Sequence, residues 1–127
     1  MKAPVRLEQG QGEEWVEIQA SEVSISNVTG GTCTFNDGYR SGKTAIIRFN
    51  ITPTKVTANS GLANIVVGTV DAVVTLNGQY FFKLMGVGST GAFGLTTYIA
   101  SEGKVRTRTF GLAANSPMVM TVFCALT

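Results

Sequence analysis

The sequence predicts an all-β domain, a jelly-roll-like antiparallel β-sandwich or barrel of about nine to eleven short strands. Three observations carry the prediction. Apolar and polar residues alternate at period two through run after run, Gly, Asn, Asp and Pro punctuate those runs, and no long window keeps the 3.6-residue period of an amphipathic helix. The chain of 127 residues is enough for one core, so residues 14–127 are read as a single β domain.

Residues 1–13 are polar around Gln9-Gly10-Gln11-Gly12 and read as a flexible N-terminal arm or docking segment. Glu14–Ala20 holds the single Trp, with Val16 and Ile18 expected on one strand face and Trp15 and Glu17 on the other. Ser21–Asn27 alternates through Val23 and Ile25, Thr29-Gly30-Gly31 turns the chain, and Thr32–Phe35 is a short strand. Asn36–Gly42 concentrates turn-forming residues around Tyr39 and reads as a loop.

Lys43–Thr52 is the strongest strand, with Ala45, Ile47, Phe49 and Ile51 opposed to Thr44, Ile46, Arg48 and Asn50. Pro53 argues against its continuing as a central strand. Lys55–Ala58, Leu62–Val70 and Ala72–Leu76 read as strands, with a bend at Asp71. Asn77-Gly78 is the residue pair preferred in a type I′ hairpin turn, and it leads into Gln79–Val87. The glycine-rich Gly86–Gly94 reads as a loop; it lacks the Gly-Lys-Ser/Thr ending and following helix of a phosphate cradle.

Tyr98–Thr109 is expected to form a hairpin about Glu102-Gly103, with Val105, Thr107 and Thr109 inward and Lys104, Arg106 and Arg108 outward. After a loop at Gly111–Ser116, the strand Pro117–Leu126 closes the chain. Met118, Met120, Val122, Cys124 and Leu126 share one of its faces and Val119, Thr121, Phe123 and Ala125 the other. Both faces are largely apolar, so both are expected to be buried, one by the core and the other by a neighbouring subunit or, as the alternative, by loops or the N-terminal arm.

Charged residues make up only 14% of the chain, too few to cover a free surface generously, which points to an oligomer. Val119, Thr121 and Phe123 are the candidate interface. The net charge of +2 is uneven. Glu8, Glu13, Glu14, Glu17 and Glu22 lie early, and most cations lie later. No Lys/Arg cluster with interleaved aromatics marks a nucleic-acid partner.

Met1–Trp15 has no apolar signal-type region, and the longest apolar stretch is about half a membrane-spanning helix, so neither secretion nor membrane insertion is expected. Cys33 and Cys124 are expected to be buried free thiols.

No His is present, which removes the commonest general base and the commonest metal ligand together. A paired-carboxylate hydrolase would have to draw on Asp37, Asp71 and Glu102 within the body of the domain. The expectation is no enzymatic activity, no metal and no cofactor. A binding module needs less. Asp37, Tyr39 and Arg40 combine an aromatic platform with hydrogen-bonding groups suited to a saccharide, and they are the candidate ligand site.

The order of motifs carries a resemblance. Gly38-Tyr39-Arg40-Ser41-Gly42 precedes the strand Lys43–Thr52; Tyr98–Val105 (Tyr-Ile-Ala-Ser-Glu-Gly-Lys-Val) follows later, and an apolar strand ends the chain. Over about residues 30–127 this is similar to the C-terminal head domains of tailed-phage receptor-binding, baseplate and fibre proteins. The resemblance implies a non-enzymatic virion protein, assembled in the host cytoplasm as a homotrimeric fibre, tail-tip or decoration subunit. It further implies adhesion to host-surface carbohydrate and attachment to other virion proteins through residues 1–14. The alternatives are a purely structural capsid or tail stabiliser without a host ligand and, third, a small lectin.

Overall fold

A computed structural model describes residues 5–6, 14–89, 92–99 and 103–126, with the backbone alone for 5–6, 79–89 and 126. The strands are β1 (Val5–Arg6), β2 (Glu14–Glu17), β3 (Val23–Thr29), β4 (Gly31–Ser41), β5 (Thr44–Pro53), β6 (Thr57–Asn59), β7 (Ile65–Leu76), β8 (Gln79–Ser89), β9 (Phe93–Ile99), β10 (Lys104–Phe110) and β11 (Met118–Leu126). Among the described residues the only helical segments are single 3-10 turns at Ala20–Glu22 and Ser60–Leu62.

All ladders are antiparallel and form one path, β1-β2-β4-β5-β11-β8-β9-β10-β7-β3, with β6 on β7. The path folds back on itself as two packed sheets, a β-sandwich, with β7 lying across from β4 and β5. Strands β7 and β8 begin as a hairpin in which Leu76 faces Gln79 and Thr75 faces Tyr80. They then part, and the β9–β10 hairpin fills the wedge, β9 pairing with β8 and β10 with β7. At the hairpin tip Asn77 and Gly78 take φ of 51° and 79°, the paired positive angles of a type I′ turn.

Period-two alternation sets the core. Ala45, Ile47, Phe49 and Ile51 of β5, Met118, Met120, Val122 and Cys124 of β11, and Val70, Ala72, Val74 and Leu76 of β7 are each at most 3% exposed. Each large side chain among them contributes about 1.5–3 kcal/mol by leaving water. Val105, Thr107 and Thr109 of β10 are also buried, as the alternation predicts. Where the chain crosses from β3 to β4, a Cβ on Gly31 would lie 2.1 Å from the carbonyl oxygen of Thr52, so only glycine fits this close passage.

Several expectations are corrected. Asn36–Gly42 is not a loop: all but Gly42 belongs to β4. The register shifts between Phe35 and Asp37, making Asn36 the extra residue of a β-bulge, and the turn itself is Gly42-Lys43 between Ser41 and Thr44. Asp71 marks no bend; it sits inside β7 opposite Arg106, whose guanidinium donates to it from Nε and Nη2 at 2.9 Å each. That ion pair is what lets an acid occupy a strand interior. Gly86–Ser89 extend β8, and Phe93-Gly94 begin β9, with Gly88 paired to Gly94.

Val16 does not share the core with Ile18. Strand β2 ends at Glu17, Ile18 is 4% exposed, and Val16 is 48% exposed. In the β9–β10 hairpin the last described pair is Ile99 with Lys104, and the expected turn at Glu102-Gly103 falls partly outside the described residues. Gly103 does take the expected positive φ, 64°; Glu102 lies outside the described residues. Of the expected flexible arm, Val5 and Arg6 pair with Trp15 and Glu14, and its other residues lie outside those described.

Cys33 and Cys124 are free and buried. They stand opposite Ile51 and Ala45 of β5, six positions apart (51 − 45), or about 20 Å of strand. The last strand is buried on one face only. Within one chain Val119 is 42% and Phe123 57% exposed, so no described segment of the same chain covers the second face.

Candidate functional site

The outer face of the β4-β5-β11 sheet is where the chain leaves large side chains in water. Residues opposite one another in antiparallel ladders bring their Cβ atoms to within about 5 Å, so each row across the sheet is a line of contacts. In one row Tyr39 of β4 faces Ile46 of β5, which faces Phe123 of β11. In the next, Asp37 faces Arg48, which faces Thr121; beyond it Asn50 faces Val119. The inward faces of these strands fill the core, so these residues point outward.

The ligand-site and interface candidates therefore meet. Asp37 and Tyr39 lie on the same surface as Val119, Thr121 and Phe123, although the two groups are far apart in the chain. Arg40 does not join them. Strand alternation turns it to the opposite face, where it lines a cleft of about 450 Å3 with Glu14, Glu17, Ile18 and Glu22. The Glu22 carboxyl there is held below its ordinary range, first by the Gln19 backbone N–H, then by the Asn77 side-chain amide, and further by the Arg40 charge. The proposed Asp37–Tyr39–Arg40 trio is thus divided between two faces of one strand.

Asp37 is engaged as well. Arg48 donates to it from Nε, at 2.6 Å, and from Nη2, a bidentate pair on the exposed face. The pair fixes two side chains beside Tyr39, which is 36% exposed. The sequence reading did not single out Ile46 and Arg48 as site residues. The signal was present, because the alternation along Lys43–Thr52 already assigned both to the face opposite the core.

Across β8 the outer surface continues onto β9 and β10. Phe93 is 50% and Leu95 38% exposed there. Phe93 faces Phe110 with ring centroids 6.1 Å apart, and Leu95 faces Arg108. These residues also went unnoticed, since Phe93 falls in the glycine-rich stretch read as a loop.

Among the described residues no group of three or more His, Cys, Asp or Glu could hold a metal ion, and no helix is long and apolar enough to cross a membrane. Comparison of the chain with protein-family models, curated proteins and solved structures finds no match.

Proposed function

We propose that this protein is a non-enzymatic structural subunit that works as an assembly of identical copies, joined through the outer face of β4, β5 and β11. The observation that carries the reading is the outward row of Tyr39, Ile46 and Phe123, with Val119 exposed on the same face beyond the row of Arg48 and Thr121. In a chain only 14% charged, such a patch favours association. The two-sided apolar pattern of β11 supports the same conclusion. The final strand is written like a buried one, and the described residues of its own chain cover only one side.

The wider reading is a homotrimeric fibre, tail-tip or decoration subunit of a tailed-phage virion, attached through residues 1–14. It rests on the resemblance of residues 30–127 to phage head domains. Absence of enzymatic activity is read from the sequence, which has no His to serve as general base.

Size-exclusion chromatography with light scattering tests the assembly. The native chain is expected to elute at the mass of an oligomer, a trimer in the phage reading. Phe123→Glu and Val119→Lys are expected to give folded monomers with unchanged far-UV circular dichroism. A native chain that stays monomeric at micromolar concentration overturns the proposal.

Host-surface adhesion is the second reading, favoured by Tyr39 standing exposed beside the fixed Asp37–Arg48 pair. Under it Tyr39→Ala abolishes binding to host cells or glycans and leaves the oligomer intact. A purely structural stabiliser would be indifferent to that change.

A further inference from the structure

We propose that Asn77 is a site of spontaneous deamidation, and that the carboxylate it acquires is set against Glu22, so that the modification frees the tip of the β7–β8 hairpin from the turn that holds it. The chemistry starts from the residue that follows. Of the seven asparagines in the chain, Asn77 is the one followed by glycine. A side chain on the following residue hinders attack of its backbone nitrogen on the asparagine carboxamide, and glycine has none. Among the described residues a Cβ on Gly78 would meet nothing within 4 Å, and both tip residues are exposed.

The reaction balances with water as its one co-reactant. The Gly78 amide nitrogen gives up its proton and attacks Cγ of Asn77. The new N–Cγ bond closes a cyclic imide, the Cγ–Nδ2 bond breaks, and Nδ2 leaves with the proton as ammonia. Water then opens the ring. Hydrolysis at Cγ yields aspartate; hydrolysis at the main-chain carbonyl yields isoaspartate, which carries the chain through Cβ and lengthens the turn by one atom. Nothing is oxidised or reduced.

The partner of Asn77 gives the change its consequence. Asn77 donates twice to Glu22, the last residue of the Ala20–Glu22 turn: from its backbone N–H to the Glu22 carbonyl at 2.8 Å, and from Nδ2 to Glu22 Oε1 at 3.0 Å. The other carboxylate oxygen, Oε2, accepts from the Gln19 backbone N–H at 2.7 Å. The Glu22 carboxylate thus latches the hairpin tip to a segment 55 residues earlier. Deamidation exchanges the donor Nδ2 for a second carboxylate oxygen in the same place, and attraction becomes repulsion between like charges. Arg40 of β4 acts on Glu22 from across the cleft, and Glu14 and Glu17 of β2 line it too. The Asp37-Gly38 pair offers a related route through an aspartate. It lies within β4, however, with Gly38 buried and both Asp37 oxygens held by Arg48. Neither Asn77 nor Glu22 belongs to the β4-β5-β11 row, so the inference stands apart from the assembly reading.

The full chain is incubated at mildly alkaline pH in water enriched in heavy oxygen, then digested and its peptides sequenced by mass spectrometry. Asn77 is expected to convert at least about tenfold faster than any other asparagine, to aspartate and isoaspartate that both carry solvent oxygen. Glu22→Ala is expected to raise that rate severalfold in the folded protein and to leave it unchanged in urea, where no latch exists. Asn77→Asp, the product made directly, is expected to lower the folding equilibrium constant about three- to tenfold. Adding Glu22→Gln should recover most of that loss, because the glutamine amide then donates to the new carboxylate while its oxygen keeps the Gln19 contact. The proposal is overturned if Asn77 stays intact, or if another asparagine or Asp37 reacts faster. It also falls if Glu22→Ala leaves the folded rate unchanged, or if Asn77→Asp costs the same with and without Glu22→Gln.

Discussion

Replacing Thr109 by valine should make the protein more stable, an unusual expectation for a fully buried position. Thr109 is 0% exposed, and its hydroxyl has no hydrogen-bond partner among the described residues. It faces Gly68 on β7 and Gly94 on β9, and its Oγ1 leans over the glycine at 68, where no side chain can answer it. A buried, unpaired hydroxyl costs about 1–3 kcal/mol, and valine has the same shape with a methyl in place of the oxygen. Thr109→Val is therefore expected to stabilise the fold by about 1–2 kcal/mol.

Two residues earlier the same substitution should act in the opposite direction. Thr107 Oγ1 shares a buried hydrogen bond of 2.8 Å with Thr96 Oγ1. Thr107→Val strands the Thr96 hydroxyl and should cost about 1–3 kcal/mol, whereas Thr96→Val with Thr107→Val removes both partners and recovers most of that loss. Equilibrium urea unfolding of the four proteins measures this directly. The midpoint should rise for Thr109→Val and fall for Thr107→Val, with the slope unchanged. Protein concentration must be held constant because assembly stabilises by mass action. If Thr109→Val destabilises as much as Thr107→Val, the hydroxyl at 109 has a partner and the reasoning fails.

Other consequences follow from the same packing. Asp71 is held below its ordinary carboxyl value, chiefly by the hydrogen bonds from Arg106, so its contribution is complete above the unfolded-state value of about 3.8 and is lost as pH falls through the lower folded-state value. Asp71→Asn should lower stability near neutral pH by about 1–3 kcal/mol and flatten the acid limb, as read by unfolding midpoints from pH 7 downward. Burial pushes the thiols of Cys33 and Cys124 up to about 11 and about 12, so neither should label with a thiol reagent at pH 8 until the chain is unfolded. Gly78→Val forces a β-branched residue into a φ of 79° and should cost about 1–2 kcal/mol, visible in thermal unfolding.

The sequence alone determined which way the principal strands face. In β5, β10 and β11 the alternation of side chains is a local property, and burying one face leaves a single register, so the inward residues could be named before any coordinates. The Asn77-Gly78 turn was legible for the same reason, since its chemistry is contained in two adjacent residues. Asn36–Gly42 and Asp71 were misread because their local composition does favour turns. What overrides it lies elsewhere in the chain: Arg48 meets Asp37, and Arg106 meets Asp71. A bulge at Asn36 then restores the alternation that the local sequence breaks.

Only the tertiary structure decided how the marked residues group. It carries Tyr39 to Phe123 through Ile46, and it sends Arg40 to the other side of the sheet. It also shows Val119 and Phe123 exposed on the single chain. Strand pairing joins residues that are distant in sequence, so the shape of a surface follows from which strands become neighbours, a choice that no short stretch of the chain records.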